Sequence, residues 1–172
     1  MKPIFESSKH KKIRLLAQDE SRFGLMTVKR RKITLKGVKP EGLYNTDREN
    51  FWIYGATDVN TGKSLFWEFN SLSKANFSFF VDQVSKEYSD SLNIMLIDNS
   101  KTHFLDNYPD NVVFINTEPY SPELNPEERV WGYFKESLGY KVFDEIDSLR
   151  AFVYDKIKNT PRKIFKSLTS YS

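Results

Sequence analysis

The stretch Pro119-Tyr120-Ser121-Pro122-Glu123-Leu124-Asn125-Pro126-Glu127-Glu128-Arg129-Val130-Trp131 begins as loop and turns into helix. Pro119 and Pro122 each fix a backbone angle and push the preceding residue out of the helical region, so the lead-in is stiff. Asn125 followed by Pro126 reads as an N-cap and a first helical position. Glu127 and Glu128 then fall in the first turn, where the helix dipole favours a carboxylate. Asn125 and Glu128 also stand at capping-box spacing, a structural role compatible with a chemical one. Val130, Trp131, Phe134 and Leu138 share one face and carry the helix to about Leu138, with Gly139 as its C-terminal cap. On this pattern Trp131 belongs to the core rather than to a base-stacking platform.

Two apolar segments end in an acid. Residues 13–19 (Ile-Arg-Leu-Leu-Ala-Gln-Asp) and 92–98 (Leu-Asn-Ile-Met-Leu-Ile-Asp) are short and lack helical periodicity, which predicts two buried strands closing on Asp19 and Asp98. Residues 20–24 follow the first as a strand exit. Residues 25–50, with Gly37, Pro40 and Gly42 as breakers, read as a basic loop or irregular hairpin. Residues 51–57 and 64–69 are strands joined by the turn-forming 58–63, hence an antiparallel hairpin. Phe77, Phe80, Val81, Val84 and Tyr88 recur at helical spacing over 74–88. Residues 99–110 form a loop with a helical turn, and 112–116 a short strand. A last helix spans 144–158, with Leu149, Phe152, Val153 and Ile157 inward and Pro161 as its stop.

This order predicts an α/β domain over 13–172 behind a basic lead-in at 1–12. Its mixed sheet is flanked by helices. Sites in such sheets form outside the carboxyl ends of strands. If the strands ending in Asp19 and Asp98 are parallel neighbours, their carboxylates stand side by side.

Composition narrows the chemistry. Among 172 residues, 39% are hydrophobic and 15% aromatic, enough for a real core. No apolar run approaches a membrane span and no secretory signal is visible, so a cytoplasmic protein is expected. With no cysteine and two histidines, any bound metal is held mainly by oxygen, which favours Mg²⁺ or Mn²⁺ over structural zinc. The net charge of +3 is small, yet basic residues cluster at 9–14, at Lys29-Arg30-Arg31-Lys32 and at 156–166. Such clusters neutralise phosphates or simply face water.

Three acids recur in this reading: Asp19, Asp98 and a glutamate of the first helical turn, with Glu127 and Glu128 both in position. Asp19 also suits a strand-end turn, and Asp98, ahead of Asn99 and Ser100, an Asx-turn. Brought together, three carboxylates repel unless a cation neutralises them. Divalent ions do so, and a pair of them can serve in-line phosphoryl displacement.

The segments Gln18-Asp19-Glu20-Ser21-Arg22-Phe23, Leu96-Ile97-Asp98-Asn99-Ser100-Lys101-Thr102-His103 and 119–131, in this order, resemble the catalytic domain of the mariner-like DDE transposases, most closely the bacterial insertion-sequence branch. The resemblance covers about residues 13–138. It implies a ribonuclease-H-like mixed five-stranded sheet flanked by helices. It also implies a triad of Asp19, Asp98 and Glu128 holding two Mg²⁺ or Mn²⁺ ions, which sets Glu127 aside. His103 falls where the family often has a histidine after the Asp-Asn pair, as a DNA-contacting or metal-adjacent group. The activity implied is cleavage at transposon ends and strand transfer to target DNA. DNA contacts are expected from Lys29, Arg30, Arg31, Lys32, Lys101, His103 and Arg129. A homodimer on DNA at the nucleoid is expected likewise. With the first acid at residue 19, any helix-turn-helix domain is expected on a separate chain. Two other readings keep the fold: a metal-dependent nuclease, and an inactive DNA-binding relic.

Overall fold

The computed structural model describes residues 12–27, 36, 45–118, 125–139 and 141–170. Five strands are seen among them: β1 Ile13–Gly24, β2 Asn50–Asp58, β3 Ser64–Phe69, β4 Leu92–Ile97 and β5 Val112–Asn116. They form one mixed sheet in the order β3-β2-β1-β4-β5. β1–β2 and β2–β3 are antiparallel, whereas β1–β4 and β4–β5 are parallel. The expected mixed sheet with a leading hairpin is therefore present.

Helix α1, Lys74–Glu87, starts at Ser73, whose hydroxyl accepts the Asn76 N–H at 3.1 Å as an N-cap does. Its apolar stripe of Phe77, Phe80, Val81 and Val84 is fully buried against Leu16, Tyr54, Ala56, Met95 and Ile97 on one sheet face. The other face, with Phe23, Phe51 and Ile53, is covered by α2 Glu127–Glu136, α3 Ile146–Asn159 and α4 Arg162–Thr169. Strand alternation thus feeds two separate cores, one on each face. No helix among the described residues is long and apolar enough to cross a membrane.

Four expectations need correction. β1 does not stop at Asp19 but runs to Gly24, because residues 20–24 keep pairing with β2 after β4 has ended. Pro161 ends no more than α3: it is the N-cap of α4, since its fixed φ of −64° suits a helix start. Gly139 is not a left-handed cap, for Gly62 is the one positive-φ glycine among the described residues. Gly62 sits in the β2–β3 turn with φ +70°, and a Cβ there would lie 2.2 Å from the Arg162 carbonyl at the start of α4. Lastly, Arg14 is not a surface phosphate binder. It is buried, 2.8 Å from Asp58 and bonded to Ser91 at 3.0 Å.

Candidate active site

The length of β1 beyond β4 creates the site. The parallel ladder ends at Ala17↔Leu96, and continuing that register by two residues sets Asp19 opposite Asp98. On the other side Asp19 pairs with Gly55 of β2. The missing Cβ of Gly55 is what lets α2 approach, because one built there would lie 2.7 Å from Glu127 Oε1 and from Trp131 Cζ2. Asn125 fixes the start of α2. Its Oδ1 accepts the Glu127 N–H at 3.2 Å, and its Nδ2 donates to the Gln18 carbonyl at 2.7 Å. The expected N-cap shifts by one residue: Pro126, without a side-chain capping bond, stands immediately before the helix, and Asn125 closes the turn ahead of it because its amide is also drawn to β1.

The two glutamates of the first turn part company. Glu127 is fully buried, and Thr57 Oγ1 donates to its Oε1 at 3.2 Å. Burial pushes its carboxyl well above the usual range, with Asp19 adding to the effect. Glu128 is exposed and free to face a substrate. Its charge reaches Asp19, whose carboxyl is pushed up to about 7 by burial first, then by Glu20, with Glu128 and Asp98 adding to it. Asp19, Asp98 and Glu128 therefore share one electrostatic environment. Among the described residues, however, no three Asp, Glu or His side chains close to the spacing that grips a metal ion. The donor set nonetheless fits hard divalent cations, because Asp19, raised first by burial and further by the charges of Glu20, Glu128 and Asp98, is a carboxyl whose ionised form such a cation would stabilise.

Asp98 occupies the turn after β4. Its Oδ1 accepts the Ser100 N–H at 2.9 Å, the expected Asx-turn, and lies 2.7 Å from His103 Nδ1. The His103 contact holds its carboxyl below the usual range. His103 lies in a short 3₁₀ turn, Lys101–His103, buried to 3% exposure with its ring 4.3 Å from that of Phe77. Its Nε2 meets Glu20 Oε1 at 2.9 Å. Burial alone would lower the imidazole, but the bonds to Asp98 and Glu20 hold it up at about 10. The ring is buried and both its nitrogens are engaged within the protein. What it touches is the second acid.

Lys101 is exposed three residues after Asp98. Arg129 is exposed too, and donates to the Ser170 carbonyl at 3.0 Å, tying α2 to the end of α4. The expected DNA contacts Lys29, Arg30, Arg31 and Lys32 lie outside the described residues, as do residues 119–124 of the stretch that precedes α2. Two participants were missed by sequence reasoning. Glu20 is one. The other is Lys135, two helical turns after Glu128, where burial lowers its ammonium while the charges of Asp19 and Glu128 oppose that fall. Its spacing of seven from Glu128 was the available signal.

Buried polar atoms without a protein partner gather around Asp19. Among the described residues, the buried side-chain atoms without a hydrogen-bond partner are both amide atoms of Gln18, Ser21 Oγ, Glu127 Oε2 and Trp131 Nε1. Gln18 and Ser21 flank Asp19 along β1, and Glu127 and Trp131 press on the Gly55 opposite it. Unmade buried bonds cost about 1–3 kcal/mol each, and such costs concentrate at functional sites.

Comparison with known proteins bears on the fold and the family. The chain is similar to the Mos1 transposase in its paired-end complex with the left transposon end, at TM-score 0.70 and 14% identity over 91% of this chain and 51% of that one. The Mos1 mariner paired-end complex with Mg gives TM-score 0.72 at 14% identity, covering 91% and 51%. The Mos1 strand transfer complex gives 0.70 at 15% identity, covering 91% and 50%. At such identity the likeness is one of fold, and it makes the sheet ribonuclease-H-like. The chain spans about half the length of these Mos1 chains. No curated protein matches it. The family model for the DDE superfamily endonucleases matches residues 14–150, and the chain belongs to that family.

Proposed function

We propose that the chain is the catalytic domain of a DNA transposase, with Asp19, Asp98 and Glu128 as the acids that hold two Mg²⁺ or Mn²⁺ ions. What supports this reading is that Asp98 and Glu128 both bear on Asp19. Register sets Asp19 opposite Asp98, and Glu128 enters the same field from α2. Mos1, of like fold, has been solved with Mn and with Mg. When bound, the ions supply Lewis-acid charge neutralisation at the scissile phosphate and lower the pKa of the attacking oxygen.

The chain's own residues do the rest. Asp19 is held in β1 and Asp98 in the turn that ends neighbouring β4, and Glu128 is held by the Asn125 bond to Gln18. Lys135, beside Asp19 and Glu128, offers positive charge to a phosphate oxygen. In the first step a water oxygen bonds to phosphorus as the bond to the 3′-oxygen breaks, leaving a 5′-phosphate and a 3′-hydroxyl. In the second, that hydroxyl bonds to a target phosphorus and displaces another 3′-oxygen. Exposed Lys101, Arg129, Lys163 and Lys166 hold the DNA backbone without reading sequence. The working form on paired ends is a homodimer at the nucleoid.

The test is cleavage of an end-containing duplex in Mg²⁺ or Mn²⁺. Asp19→Asn, Asp98→Asn and Glu128→Gln should each remove cleavage while the chain stays folded. Asp98→Asn cutting as fast as the parent would overturn the assignment. Hydrolysis without strand-transfer products would favour a nuclease on the same fold.

A further inference from the structure

We propose that Glu20 is a positioning residue: acting through His103, it fixes the orientation in which Asp98 presents its carboxylate. This rests on the reading of Asp98 as a metal-holding acid. Glu20 follows Asp19 along β1, so strand alternation turns it to the opposite sheet face, toward α1. There its side chain is 6% exposed and its Oε1 is 2.9 Å from His103 Nε2. The ring between them has little freedom. It is buried, lies 4.3 Å from the Phe77 ring, and has its Nδ1 2.7 Å from Asp98 Oδ1.

The chain Glu20–His103–Asp98 therefore links the α1 face of the sheet to the acid beyond its edge. Its two ends differ in what they can do. Glu20 is enclosed, whereas the Asp98 side chain is 54% exposed. Oδ1 accepts the Ser100 N–H and lies 2.7 Å from His103 Nδ1, a nitrogen that also meets the Asp98 backbone carbonyl at 3.3 Å, so Oδ2 is left to a ligand. A carboxylate so held presents one chosen oxygen instead of rotating between two. Outer partners of this kind set the orientation of groups that touch a metal, and their loss costs about 10- to 100-fold in affinity.

The experiment uses the whole chain and two readouts. One is Mn²⁺ affinity by titration calorimetry. The other is the downfield imidazole N–H resonances of His103, which report ring orientation without metal. Glu20→Ala should weaken Mn²⁺ binding by about 10- to 100-fold, and should shift the Nδ1–H resonance facing Asp98 as well as the Nε2–H resonance. Glu20→Gln keeps an acceptor for Nε2–H and should restore affinity close to the parent's, a rescue that bulk packing alone does not predict. If Glu20→Ala fails to fold, Glu20→Asp, which withdraws the carboxylate by one methylene, should give the same two changes. Parent-like affinity together with an unshifted Nδ1–H resonance overturns the proposal. Asp98→Asn keeps the two questions apart. If it binds Mn²⁺ like the parent, the metal-holding role of Asp98 fails, while the resonances of the Glu20 variants still decide whether Glu20 orients the ring.

Discussion

Replacing Gly55 by alanine should destabilise the fold and should also dislodge the third acid. An alanine in a strand normally gains about 0.5–1 kcal/mol over glycine by restricting the unfolded chain. Here the added Cβ would lie 2.7 Å from Glu127 Oε1 and Trp131 Cζ2, and 2.8 Å from Trp131 Cη2. Comfortable contact is about 3.5 Å, so α2 must retreat by roughly 0.8 Å. Neither obstacle yields easily. Glu127 is fully buried, and the Trp131 ring is wedged among Phe23, Phe66 and Phe134 at centroid distances of 5.7–6.2 Å. Overpacking of this kind costs about 1–3 kcal/mol, which outweighs the strand gain and leaves a net loss of about 1–2 kcal/mol. With a urea slope of about 2 kcal/mol/M, the unfolding midpoint should fall by about 0.5–1 M at unchanged slope. Glu128 sits on the turn that must move, so cleavage measured where both proteins are folded should fall further than stability explains. A midpoint equal to or above the parent's would refute the argument that Gly55 sets the approach of α2.

Other perturbations probe the remaining parts. In EDTA, Asp19→Asn should be more stable than the parent at pH 8. The folded carboxyl is raised from 3.8 to about 7, so its contribution is intact below pH 4 and is lost as pH rises toward 7. Urea midpoints at pH 3.5 and pH 8 check this, and saturating Mg²⁺ should narrow the gap by stabilising the parent. Arg14→Met should cost about 3–5 kcal/mol by stranding the buried Asp58, and thermal melts should show the Arg14→Met/Asp58→Asn double variant recovering part of the loss. Lys135→Ala should weaken binding of unrelated duplexes equally and reduce the slope of log affinity against log salt by about 1, measured by fluorescence anisotropy.

The sequence carried the sheet better than the site. The apolar runs ending in Asp19 and Asp98 and the aromatic stripe of α1 report burial directly, and the mixed sheet follows from their order. The end of β1 was hidden because Glu20, Ser21 and Arg22 are polar, as loop residues are. They stay in the strand because β2 pairs with them and because His103 takes up Glu20, a partner 83 residues away that no local pattern reveals. Helix α4 was lost to Pro161, read as a stop when it is also a start, although Phe165, Leu168 and Thr169 share one face. Glu127 and Glu128 are equivalent by position in the first turn. The absence of a side chain at Gly55 decides which is enclosed, and that is a long-range fact.

The bond from Asn125 to the Gln18 carbonyl bears on how variants of this architecture can differ. At Gln18 the parallel neighbour has run out, and the amide of Asn125 serves β1 where a strand would have done. The helix is thus moored to the sheet two residues ahead of its first turn. Lengthening or shortening the connection between Asn116 and Asn125 should therefore leave Glu128 in register with its partners. The spacing between the second and third acids is a dimension that drift can change without moving the chemistry.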